Sequence, residues 1–121
     1  MGYTENLIDF IGKSTDCYHA VKTAKDRLDE NDFTELLEGD KWDVQSGGKY
    51  YVIRNSSSII AFEMPKKDFG AFMICASHTD SPSFKLKPDF EINADGCIKL
   101  SVEGYGGMIM SSWLDRPLSI S

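Results

Sequence analysis

The chain has 121 residues, 41% of them hydrophobic and 12% aromatic, which suits one ordinary globular domain or one small domain plus part of another. Thirteen basic and 19 acidic side chains give a formal charge of −6, and the basic residues form no Lys/Arg block, which argues against nucleic acid or an anionic membrane surface as the main partner. Three cysteines at wide spacings, Cys17, Cys75 and Cys97, fit reduced thiols better than a disulfide framework or a zinc knuckle.

The opening "MGYTENLIDFIGKSTDCYHA" has no basic start, apolar block or small-residue cleavage site, and nothing in the chain approaches the ~18 consecutive apolar residues of a transmembrane span. A soluble, cytoplasmic protein is therefore predicted. Leu7, Ile8, Phe10 and Ile11 follow Thr4, a candidate N-cap, and predict a first helix over residues 4–13. Cys17, Ala20, Val21, Ala24 and Leu28 recur at i, i+3, i+4 spacing and predict a second helix ending near Asn31. His19 lies within it, beside the apolar Ala20–Val21 pair, and reads as structural.

Gly47-Gly48 marks a turn, and the β-rich runs Tyr50–Arg54 and Ser58–Met64, joined by "NSSS", predict a hairpin. After the turn "PKKDFG", the continuous apolar run Ala71–Ala76 lacks period-2 alternation and predicts a central strand covered on both faces. "FKLKPDFEI", "NADG" and "CIKLSVE" then alternate as half-exposed antiparallel strands around a turn, and "SSWLDRPLSIS" reads as extended after the break at "GYGGM". A domain boundary is placed near Ser81–Phe84. The segment beyond it falls below the ~40 residues that a domain usually needs to stand alone, so the sequence reads as unfinished.

Chemistry concentrates in "ASHTDSP", residues 76–82. Residues beyond the carboxyl end of a central strand face the crevice in which α/β proteins bind ligands. Imidazole is a common zinc ligand through one ring nitrogen while the other N–H is held by a carboxylate. His78 and Asp80, two apart in extended backbone, project from the same side and suit these two roles. An incidental surface pair after a strand is the alternative. Cys75 is set aside as a nucleophile, because a thiol inside an apolar run has a raised pKa and is usually inert. "GYGG" matches neither G-x-G-x-x-G nor the P-loop spacing, so a phosphate cradle is not expected.

"CASHTDSPSFKLKP", with "CYHAVKTAKDRL" upstream and "YGGMIMSSWLDRPLS" downstream, resembles the aspartyl aminopeptidase family of cytosolic co-catalytic zinc aminopeptidases, in order and over essentially the whole chain. The resemblance implies an α/β fold: a mixed-sheet peptidase domain opened by residues 1–82, and a β-rich inserted domain begun by residues 83–121. It implies a hydrolase that removes N-terminal, typically acidic, residues from peptides with two zinc ions, in a symmetric homo-oligomer whose inserted domain builds contacts. On this reading His78 is the first zinc ligand and Asp80 the carboxylate that orients it; the glutamate base and the other ligands belong to a longer chain. Gly104, Gly106 and Gly107 then belong to a loop that approaches substrate or a neighbouring subunit. Ser111 departs from the family, many of whose members carry histidine there. The structural reading of the same stretch is a Gly-rich connection with Trp113 as core and an Asp115–Arg116 ion pair. With one histidine ligand in hand, the chain alone is expected to bind zinc weakly and to be inactive, since a catalytic zinc generally takes three protein ligands. A self-contained, non-catalytic binding or assembly module with the peptidase outline is the second hypothesis.

Overall fold

The computed structural model describes residues 2–115 and 117–120. It is α/β, and it divides into two compact units, residues 1–80 and residues 81–121.

In the first unit, helix α1 spans Tyr3–Lys13 and helix α2 spans Cys17–Asp29. The predicted N-cap Thr4 lies inside α1. The cap is Gly2, whose amide donates to Glu5 Oε2 at 2.8 Å, so a side chain of the first turn reaches back where the glycine has none to offer. Asp16 caps α2 by accepting from the amides of Tyr18 at 2.8 Å and His19 at 2.9 Å. These bonds, the His19 amide first, hold the Asp16 carboxyl below its ordinary value of 3.8. A depressed carboxyl stabilises the fold above its unfolded pKa, and that stability is lost as pH falls through the lowered native value. Asp16→Ala is expected to cost about 1 kcal/mol at neutral pH, with the penalty vanishing in acid; urea midpoints compared at pH 7 and below pH 3.8 measure it.

Strands β1 (Thr34–Glu35), β2 (Lys49–Arg54) and β3 (Ser58–Glu63) form a mixed sheet in that order, β1 parallel and β3 antiparallel to β2. The predicted hairpin is present in the register Lys49↔Glu63 to Arg54↔Ser58. β1 has no signal in the sequence, because two residues cannot show a period. Ala20 and Val21 of α2 and Tyr50, Tyr51 and Val52 of β2 are the buried apolar residues among those described. Arg27 links the helices: its guanidinium stacks 5.0 Å from the Phe10 ring and donates to the Asn6 carbonyl at 2.8 Å.

Ala71–Ala76 is not a strand. No described strand pairs with it, and Phe72 (79%), Met73 (102%) and Ile74 (86%) are exposed. The apolar run identifies a segment suited to burial, but a strand exists only where a neighbour supplies the other half of its ladder, and none of the described strands lies alongside. Cys75 is exposed as well, so the buried setting that set it aside as a nucleophile is absent.

In the second unit, β4 (Ser83–Ala94) and β5 (Cys97–Tyr105) form an antiparallel ribbon closed by Asp95 and Gly96, both at positive φ. The register slips between Leu86 and Glu91, around Pro88, which has no N–H for a ladder. The stretch read as extended contains instead a 3₁₀ turn over Met110–Leu114. Trp113, half-buried, meets the Phe84 ring edge-on at 5.3 Å. The Asp115–Arg116 pair involves Arg116, which lies outside the described residues.

Candidate metal centre

His78 and Asp80 come together as their spacing predicts. His78 Nδ1 lies 2.7 Å from the Asp80 carbonyl oxygen and 3.2 Å from its carboxylate Oδ1. Two acceptors on one nitrogen favour the tautomer in which Nδ1 carries the proton and Nε2 keeps its lone pair. The His78 side chain is 82% exposed, so Nε2 is open to an incoming ligand. The preceding run is exposed, so His78 does not follow a buried strand end; the pair is carried by a segment anchored at Thr79.

That anchor has no counterpart in the sequence analysis. The Thr79 hydroxyl donates to the carbonyl of Ser57 at 2.9 Å, tying the His78 segment to the connection between β2 and β3. His19 is held elsewhere, its Nδ1 2.8 Å from Asp16 Oδ2, and stands on the exposed side of α2 rather than in the core.

In the second unit Gly106 has φ +77°, a conformation that L side chains rarely adopt, and a Cβ there would contact Pro82 Cα at 3.5 Å. Gly107 has open space around its Cα, as does Gly104, and Ser111 lies exposed in the 3₁₀ turn.

The donor chemistry at His78 suits one position of a zinc shell: a neutral imidazole with the second nitrogen hydrogen-bonded to a carboxylate residue. Among the described residues no group of three or more His, Cys, Asp or Glu is placed to hold an ion. His78 therefore fits as a contributor to a metal site, not as the whole of one.

The family model described as aminopeptidase I zinc metalloprotease (M18) matches residues 10–121. The chain belongs to the M18 family. It is 42% identical to a probable M18 family aminopeptidase 2 of Clostridium novyi, aligned over 98% of this chain and 28% of that relative. The chain thus spans little more than a quarter of the length of the curated relatives it matches. Among solved structures, a chain in the cryo-EM structure of the Ape4 and Nbr1 complex superposes with TM-score 0.88 at 40% identity, over 92% of this chain and 22% of that one. The dodecamer of mApe1 from S. cerevisiae superposes at 0.77 with 34% identity, over 93% of this chain and 27% of that one. No helix among the described residues of this M18 chain is long and apolar enough to cross a membrane.

Proposed function

We propose that this M18 chain forms the amino-terminal part of a zinc-dependent aminopeptidase, in which His78 is a zinc ligand through Nε2 and Asp80 holds the imbalance of its two ring nitrogens in place. The observation that carries the reading is the Nδ1 contact with Asp80, which leaves the nitrogen a metal needs. Zinc bound there with further ligands would supply a Lewis acid and a water of lowered pKa, and a second zinc ion would share that work.

The contribution of this chain's own residues is preorganisation. Asp80 accepts a hydrogen bond from Nδ1–H, which fixes the tautomer and limits rotation of the ring. Residues 1–82 are read as the opening of the catalytic domain and 83–121 as that of an inserted, β-rich one. Gly106 and Gly107, with the Ser111 turn, are read as a loop toward substrate or a neighbouring subunit. Ser111 lacks the imidazole that many members place there, so it cannot supply that group to a substrate carbonyl. The substrates are peptides with N-terminal Asp or Glu, the setting is cytoplasmic, and assembly is homo-oligomeric in keeping with the dodecameric relative.

The test uses this sequence within a polypeptide of its relatives' length. Release of N-terminal Asp or Glu from a peptide is expected to stop on exhaustive chelation and to return with zinc. The 121-residue chain by itself is expected to show no turnover, having one candidate ligand among its described residues. Undiminished hydrolysis by the metal-stripped long protein would refute the proposal.

A further inference from the structure

Between the two residues assigned to the metal stands Thr79, which the proposed chemistry does not use. Its side chain turns to the sheet: the hydroxyl donates to the Ser57 carbonyl at 2.9 Å, 22 residues earlier in the chain. It joins residues 71–80 to the β2–β3 hairpin, and the flanking run pairs with no described strand. The segment that carries His78 is thus tied to the hairpin by a directed contact. Threonine suits that task, since its β-branch restricts χ1 and keeps the hydroxyl aimed.

The receiving carbonyl belongs to an unusual connection. Asn55 and Ser56 both adopt left-handed backbone, with φ 52° and 56°, and the Ser57 amide closes the turn onto the Arg54 carbonyl at 3.2 Å. Turns with two left-handed residues strongly favour Asn-Gly, and a serine in the second place is strained. Strain of this kind persists where the surroundings over-determine it, and it concentrates at functional sites. Here it sits immediately before the carbonyl that Thr79 engages.

We propose that Thr79 is a positioning residue: its hydroxyl latches the metal-binding segment onto the strained β2–β3 turn and thereby fixes where His78 presents Nε2. The inference rests on the zinc-ligand reading of His78 for its functional meaning. The latch itself exists or fails without metal, so the two are separable by experiment.

The test compares the metal-free 121-residue chain with Thr79→Val, which keeps the shape and removes the donor, and with Thr79→Ser, which keeps the donor. In the parent, nuclear Overhauser contacts are expected between the Thr79 γ-methyl and Ser57. In T79V these are lost, and amide exchange at residues 78–80 quickens by about five-fold, the equilibrium equivalent of one ordinary hydrogen bond. The β2 and β3 amides keep their protection, and T79S restores most of the protection at His78. Absence of the Thr79–Ser57 contact in the parent would overturn the latch. So would unchanged exchange in T79V, T79S behaving like T79V, or equal loss of protection throughout the hairpin. Chelation results on the long protein bear on the zinc reading alone and leave these outcomes intact.

Discussion

Asp80→Asn, placed in a polypeptide of the relatives' length, is expected to lower zinc affinity by about 10–100-fold, the usual cost of removing a partner behind a metal-binding histidine. The substitution preserves size and the backbone carbonyl, so the 2.7 Å contact from His78 Nδ1 can survive while the anionic acceptor at 3.2 Å is lost. Weaker zinc with an unchanged fold is the signature. His78→Ala removes the proposed ligand and is expected to cost more than Asp80→Asn, with metal content falling below that of the parent after gel filtration. Competition against a chromophoric chelator measures both variants. Parent-like zinc affinity in His78→Ala would remove His78 from the site.

The largest effect on stability is expected at Tyr51. Its ring is 1% exposed, between α2 and the sheet. Its hydroxyl accepts from Lys25 Nζ at 2.6 Å and donates to Asp29 Oδ1 at 2.7 Å, with Glu35 Oε2 3.3 Å away. One phenol therefore joins α2, β1 and β2. The bond to Tyr51, followed by those to Asp29 and Glu35, pushes the Lys25 ammonium well above its ordinary range, while burial raises the Tyr51 phenol. The cation therefore stays charged throughout the range in which the protein is handled. Tyr51→Ala is expected to cost about 3–5 kcal/mol, as for other large aromatic side chains removed from a core. Tyr51→Phe keeps the packing and is expected to cost about 1 kcal/mol. With so few buried apolar residues in this unit, the alanine variant should lack a cooperative urea transition. Equal midpoints for the two variants would show that the hydroxyl network, rather than the ring, dominates.

The same physics explains which features could be read in advance. Both helices were legible because their apolar residues recur at the helical period, and Ala20 and Val21 are buried as that period requires. The hairpin was legible because two β-rich runs flank a short polar connection. The cap of α1 is Gly2 and not Thr4, and a capping residue without a side chain works through a partner, here Glu5, which leaves no cap signal at its own position. His19 neighbours Ala20 in sequence, yet a helix turns 100° per residue and carries it to the exposed side, where Asp16 holds it.

By itself the sequence determined the elements whose forces are local: the two helices, the β2–β3 and β4–β5 hairpins, and the pairing of His78 with a carboxylate two residues away. It also carried the family, through "HTDSP" and "WLDRPLS". Only the tertiary structure decided that Thr34–Glu35 lies parallel to β2, that Ala71–Ala76 pairs with no described strand, and that Thr79 meets the Ser57 carbonyl. Local pairs are set by spacing along the chain, which can be counted. Contacts across tens of residues depend on the path of every loop between them, and neither hydropathy nor spacing records that path.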